Sequence, residues 1–441
     1  MSAAPSRTPS TRYAWYVVAI LTLANISANI DQFVLALLVG PIKRDLGITD
    51  VQMSYLGGPA FALFYVILGL PIARIADRAN RRNLIAGGVA LWSVFTAAGA
   101  VARTFVQLFF TRVGVGIGEA TLYAPSVSLL SDYFPREKRA RALSVYSLGI
   151  FLGAGASYVI GGWVVGRLTV NEIWTVPIIG AIRPWQTVFL VVGLPGVAVA
   201  LALLTVREPV REQAVPAVQP PLSEFLRYVW ANRRTFGTLS FAFASSAMVN
   251  VGIAFWLAQF LIRTYGLTAP QAGRIQGLLT MSIGTFAVIG GGWVSDWFVK
   301  RGRVDGPLRV GMIGAAGMLV AATAYPLMPS LTLTIVWLAV VNVFAALPFG
   351  AAWAAASEIV PAPLRAQGVA LYFFVISLVS RTLGPSSVAW LTEYVFHNDA
   401  KVGYSLAIVN VVGMCVALTL FAFGLPAYRK TVAARDVQAA S

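Results

Sequence analysis

Long apolar runs separated by short polar ones divide the chain almost from end to end. Runs long enough to cross about 30 Å of hydrocarbon fall at residues 13–41, 52–74, 83–102, 105–131, 141–166 and 185–206. They resume at 235–262, 271–298, 309–328, 331–357, 366–392 and 403–426. Between the two sets lies REPVREQAVPAVQPPLSEFLRYVWANRR, residues 207–234, rich in proline and charge. The pattern predicts an all-α polytopic membrane protein with twelve transmembrane helices in two six-helix halves, 13–206 and 235–426. Tails at 1–12 and 427–441 and a linker at 207–234 complete it, the linker carrying a short amphipathic piece at 222–230 that lies on the membrane surface. The first apolar run is too long for a signal-peptide core and reads as a retained first helix.

Composition agrees, with 58% hydrophobic and 11% charged residues against about 25% charged in a soluble protein. The formal charge of +16 does not indicate nucleic acid, because the basic residues sit in short runs between apolar segments. With sides alternating, lysine and arginine concentrate on the side that holds both ends of the chain. That asymmetry predicts two cytoplasmic termini. The single cysteine, Cys415, falls in a late apolar segment, so no intrachain disulfide or cysteine metal cluster is expected. The sole histidine, His397, lies in an external loop. No Gly-x-x-x-x-Gly-Lys-Ser/Thr run occurs, which argues against an ATP-driven pump. No enzyme chemistry, metal or cofactor is expected, and a monomer is the default.

The halves repeat each other. Pro135-Arg-Glu-Lys-Arg139-Ala-Arg-Ala-Leu-Ser-Val-Tyr146 aligns without gaps on Pro361-Ala-Pro-Leu-Arg365-Ala-Gln-Gly-Val-Ala-Leu-Tyr372, each after the fourth helix of its half. A second echo joins Ala73-Arg-Ile-Ala-Asp77-Arg78-Ala-Asn-Arg81-Arg82 to Gly292-Trp-Val-Ser-Asp296. Matched six-helix halves are the architecture of carriers that rock around a midplane site.

Charges inside the apolar runs mark that site. Arg112 and Glu119 lie in the fourth run, seven residues apart and on one helix face. A charge at mid-bilayer costs about 2.5–3.5 kcal/mol, so it normally faces a bundle interior or a wet cavity. Two readings follow: a static ion pair, or a pair in which Arg112 holds Glu119 ionised until substrate or a helix shift disturbs it, a proton-coupling device. Asp31, in a polar patch with Asn25, Ser27, Asn29 and Gln32, is either a packing carboxylate or a protonatable group in the same cavity. Arg381 is a lone cation in the eleventh run, suited to a structural pair or to an anionic group. Asn250, Trp256, Gln259, Gln276, Asn342, Trp353 and Tyr372 are further candidates for a cavity wall, and Gln32 is a further candidate for substrate contact.

At this point the chain resembles the major facilitator superfamily. Residues 73–82 are similar to its loop signature, with Ala73 and Asn80 in place of two glycines, and Arg112-x-x-x-Gly116-x-Gly118 is similar to its fourth-helix pattern. The resemblance implies a cytoplasmic latch built from Asp77, Arg78, Arg81, Arg82, Asp296, Arg139 and Arg365. Within that superfamily the chain most resembles spinster-type lipid transporters. The residues that carry this are Asp31 leading into Pro41-Ile-Lys-Arg-Asp-Leu-Gly-Ile, Gly118-Glu119-Ala120, Tyr133-Phe-Pro-Arg-Glu-Lys-Arg139, and Trp185-Gln-Thr-Val-Phe189 with Gly193-Leu-Pro-Gly196. Gln32 stands where that branch usually has arginine, leaving Arg112 and Arg381 as cationic contacts. The resemblance implies proton-coupled, alternating-access movement of an anionic amphiphile such as a lysophospholipid or sphingosine-phosphate-like lipid. Small organic anion symport is the alternative, and a non-transporting sensor a third reading. The implied partners are the bilayer, a small-molecule or lipid substrate and protons, and the implied location is a cell membrane, with a bacterial inner membrane expected.

Overall fold

A computed structural model describes residues 10–76, 78–167, 174–176, 180–209 and 221–440. Among these residues 12 helices are long and apolar enough to cross a membrane. Those of the first half are α1 (Thr11–Leu46), α2 (Asp50–Gly69), α3 (Arg81–Val101), α4 (Phe105–Tyr133), α5 (Arg141–Arg167) and α6 (Pro184–Leu203). The second half contributes α7 (Arg233–Tyr265), α8 (Ala269–Lys300), α9 (Gly306–Leu327), α10 (Leu331–Glu358), α11 (Gln367–Val395) and α12 (Asp399–Arg435). A small hairpin of Trp174–Val176 and Gly180–Ile182 lies between α5 and α6.

The turns are set by short polar signals. Gly47 closes α1 with φ 63°, a left-handed conformation that glycine adopts without strain. Thr49 then opens α2, forming a reciprocal capping box with Gln52. Several spans are interrupted, and three of the interruptions lie near the intramembrane charges or the space between the halves. Two helices meet at Val34 inside α1. A turn at residues 120–122 parts α4 into Phe105–Glu119 and Tyr123–Tyr133. In α8, Thr280–Gly284 is wound as a π-helix, a feature frequent at functional positions.

Within each half α3 packs on α6 and α9 on α12, while the seam between halves runs along α5 with α8 and α2 with α11. The glycines of α5 allow it to serve both sides. A Cβ at Gly153 would lie 2.7 Å from the Ile26 carbonyl of α1, and one at Gly155 would lie 2.8 Å from the Gly277 carbonyl of α8. Both approaches are closer than any side chain permits. The aligned tyrosines Tyr146 and Tyr372 occupy matching places on α5 and α11, both fully buried. The linker helix Leu222–Ala231 buries Phe225, leaves Trp230 72% exposed, and ties down through Tyr228 Oη to the Ile359 carbonyl at 2.7 Å.

The chain end differs from the free tail expected at 427–441. The last helix runs unbroken from Val402 to Ala440, because side chains beyond the apolar run find partners on the same half. Tyr428 donates to Glu358 at 2.5 Å, and Arg435 donates to the Glu358 carbonyl. Arg429 pairs with Asp305, which also accepts from Arg309 at 3.1 Å. Asp305 lies just ahead of α9. Burial pushes its carboxyl up, but the hydrogen bonds and charges of Arg309 and Arg429 outweigh that and hold it below the usual range. A depressed carboxyl contributes stability that is complete above its unfolded value and lost as pH falls through the folded one. Arg429 is 47% exposed, so Arg429→Ala is expected to cost only about 1 kcal/mol. Thermal unfolding in detergent should show that difference at pH 7 and not once acid has protonated Asp305.

Candidate functional site

The intramembrane charges converge, though not as the sequence pairs them. Arg112, Glu119 and Asp31 are each no more than 2% exposed. Arg112 donates through Nη2 to the Asp31 carbonyl at 3.3 Å, and Glu119 accepts a short hydrogen bond from Gln32. The expected Arg112–Glu119 ion pair is not formed, since none of the ion pairs among the described residues involves either group. Seven residues of helix place the two Cα atoms roughly 10 Å apart along the axis, and each side chain finds a nearer partner on α1. Both carboxylate oxygens of Asp31, Nε and Nη1 of Arg112 and Oε1 of Glu119 have no protein hydrogen-bond partner. Buried polar atoms are usually paired, so this cluster is an exception in the first half.

Arg381 reaches the cluster from the other half. It is half-buried, forms no ion pair among the described residues, and sits 5.1 Å over the Phe61 ring of α2, a cation–π contact. Arg112 lies within electrostatic reach of Asp31, Glu119 and Arg381. The group therefore spans the seam, with three titratable side chains on one half and one cation on the other.

Beside it is a largely apolar cavity of about 370 Å³ whose walls include Phe33, Tyr158, Asn250, Gln276, Trp353 and Phe373. Phe33 is the chain neighbour of Gln32, whereas Asp31, Gln32, Arg112, Glu119 and Arg381 are not among the residues that line this space. The first residue of the π-wound stretch of α8, Thr280, also lines it. Of the wall residues expected from sequence, Asn250, Gln276, Asn342 and Trp353 line the cavity. Trp256 instead is fully buried and donates to the Pro385 carbonyl at 2.9 Å. Tyr372 lies behind the wall, edge-on to Phe243 and Phe373. Asn25 and Asn29 of the polar patch face α5, Asn25 donating to the Tyr146 carbonyl at 2.9 Å.

The two ends of the bundle are held differently. At the end opposite the termini, Asp50 of α2 is 1% exposed and is shared by Lys43 at 2.6 Å and Arg263 of α7 at 2.7 and 2.9 Å. Asp399 bonds the same two cations, Lys43 at 2.8 Å and Arg263 at 3.5 Å. The Val51 amide donates to Glu393 at 3.0 Å. Among the described residues, every ion pair joining the halves is here. Sequence reasoning missed these residues because they look like ordinary charges at loop edges; the available signal was an acid beginning a span directly after its capping threonine.

At the termini end the basic residues stay within their own half. Arg81, 2% exposed, pairs with Asp132 at 2.6 Å and Glu208 at 2.7 Å. Arg82 holds the Glu208 carboxylate through its amide at 3.0 Å. Arg139 donates to the Phe134 carbonyl at 3.5 Å, while Arg78, Asp296 and Arg365 are exposed. Asp77 lies outside the described residues. The halves meet nearer this end through rings, with Tyr123 5.8 Å from Trp353 and Phe151 5.7 Å from Phe349.

The sequence and the fold are similar to those of known proteins. The chain is 29% identical to an MFS-type efflux pump of Mycolicibacterium smegmatis, over 66% of this chain and 64% of that protein. It is 29% identical to Protein spinster homolog 1 of Homo sapiens, over 69% of this chain and 58% of that protein. It thus spans about three fifths of the length of these curated relatives. The crystal structure of a bacterial homolog to the human lysosomal transporter Spinster, inward-facing and unoccupied, superposes with a TM-score of 0.75 at 29% identity, covering 97% of this chain and 98% of that one. Residues 21–385 match the Major Facilitator Superfamily. The chain is a multi-pass membrane protein that belongs to that superfamily and resembles its spinster branch.

Proposed function

We propose that this chain is a secondary transporter that carries an anionic amphiphile by alternating access and couples it to protons. The observation that carries the reading is the seam-spanning cluster. A half-buried arginine with no ion pair among the described residues, Arg381, stands over Phe61 near three buried titratable groups, and an apolar cavity begins at Phe33, next in the chain to Gln32. An anionic headgroup suits Arg381 and Arg112, which can offer forked donors; a hydrocarbon tail suits the cavity wall. Unpartnered buried charges are costly, and a proton taken up by Glu119 or Asp31 relieves that cost when the halves shift. The basic residues near the termini support a cytoplasmic position for that end, by the positive-inside asymmetry. The ion pairs at the opposite end then belong to a state closed to the outside. That fits the inward-facing description of the similar bacterial structure.

The test is uptake by purified protein in vesicles, offering lysophosphatidic acid and, separately, lactate under an imposed pH gradient. Saturable movement of the lysolipid, blocked by Arg381→Gln, supports the reading. Uptake of lactate alone, collapsing with uncoupler, replaces the amphiphile with a small organic anion. Binding without transfer of either makes the chain a sensor.

A further inference from the structure

A second cavity, of about 810 Å³, opens between the halves at the end opposite the termini. We propose that it is a separate binding site for an organic anion, whose carboxylate or phosphate is held by Arg44. Lys43, Arg44, Asp45, Arg183, Arg263 and Asp399 line it. Their pairing leaves one charge over. Lys43 and Arg263 are matched by Asp50 and Asp399. Arg183 is matched by Asp45, which is fixed by the indole of Trp185 at 2.8 Å. Arg44 has no ion pair or hydrogen bond among the described residues.

The placement of Arg44 is specific. Its side chain folds back over Gly40, one turn earlier, so that Nη1 lies 3.7 Å from where a Cβ on that glycine would be. Gln259 Oε1 of the opposite half lies 3.8 Å from the same point. Arg44 is exposed, and its guanidinium lies at the cavity mouth, beside the seam and open to an incoming anion. Leu37, Pro41, Val165, Ile262, Leu267 and Pro270 form the rest of the wall, an apolar surface for the ligand's hydrocarbon part. One unmatched cation with apolar walls selects a singly charged headgroup with an apolar remainder. This inference rests on the outer cavity alone and stands whether or not the central-site reading does.

Calorimetric titration of the full chain in phosphatidylcholine nanodiscs with hexyl phosphate tests it. Arg44→Gln is expected to weaken binding about tenfold, the worth of one charge-assisted contact, and Arg44→Lys to retain most of it. All of them, including the protein with Arg44 intact, are compared in an Arg381→Gln background, which removes the headgroup contact proposed for the central cluster, so that the remaining binding reports the outer cavity. Phosphatidic acid in the nanodisc distinguishes the two sources of the headgroup: competition assigns it to the membrane, and unaltered binding assigns it to a free anion. Equal affinity in Arg44→Gln and wild type overturns the proposal. So does an equal loss in Arg103→Gln, an arginine of the same end that bonds the Ala181 carbonyl, since that would be nonspecific charge. Matching thermal unfolding midpoints for wild type and Arg44→Gln establish that the variant is folded.

Discussion

Replacing Glu119 with glutamine is expected to abolish proton-driven accumulation while leaving exchange of substrate across the membrane intact. The substitution is nearly isosteric and keeps a group able to bond Gln32, so the packing of a 2%-exposed position is preserved. What it removes is the ability to gain and lose a proton. A pH gradient of one unit stores about 1.4 kcal/mol per proton, enough for roughly tenfold accumulation. In the variant the ratio of internal to external substrate is expected to fall to one. Counterflow, which needs only the rocking of the halves, should persist. Asp31→Asn is the companion measurement, because both of its carboxylate oxygens are unpartnered. If Asp31→Asn alone removes accumulation, the proton rides on α1. Normal accumulation in both variants ends the coupling proposal.

Asp50→Asn should have the largest effect on conformation. Asp50 is the anion between Lys43 and Arg263, whose side chains are 18% and 13% exposed. Without it the two cations share only the exposed carboxylate of Asp399, and removing one member of a buried pair costs about 3–5 kcal/mol. Opening that end hydrates both cations, so the penalty falls on the closed state. Even about 3 kcal/mol shifts the equilibrium more than a hundredfold. A cysteine at Ala36, which is 1% exposed, in a Cys415→Ser background reports this through a membrane-impermeant maleimide. It should be protected while Asp50 is present and labelled once the Asp50→Asn substitution is added. Asp399→Asn is the contrast: that side chain is 59% exposed, and its loss should change labelling little. Equal protection in all three proteins would mean that the seal is held by apolar packing instead.

Much of the architecture was readable without coordinates, for a definite reason. Lipid imposes length and apolarity on every span, so twelve segments, the six-plus-six division and the paired Tyr146 and Tyr372 follow from pattern alone. The same cost argument singled out Arg112, Glu119, Asp31 and Arg381 as buried or half-buried groups. Their partners were not readable. Gln32 meets Glu119, and Arg112 meets a backbone carbonyl of Asp31, through contacts between helices far apart in sequence, which periodicity does not encode. Trp256 and Tyr372 illustrate the same limit: an aromatic residue on a helix gives no sign of whether it lines a space or backs the wall. The Lys43, Asp50, Arg263 and Asp399 network was invisible because loop charges are common, and only the closing of two halves makes these four neighbours.

The turn at residues 120–122 divides α4 directly after Glu119. The stretch beyond it, Tyr123–Tyr133, is roughly 16 Å long, so a swing of about 10° at this joint carries its free end roughly 3 Å. Asp132 rides near that end and takes with it the salt-bridged bundle of Arg81 and Glu208. In the alternating access proposed above, a bend at this joint would widen or narrow one mouth of the protein like a door on a pin, with the carboxylate beside the hinge left in place.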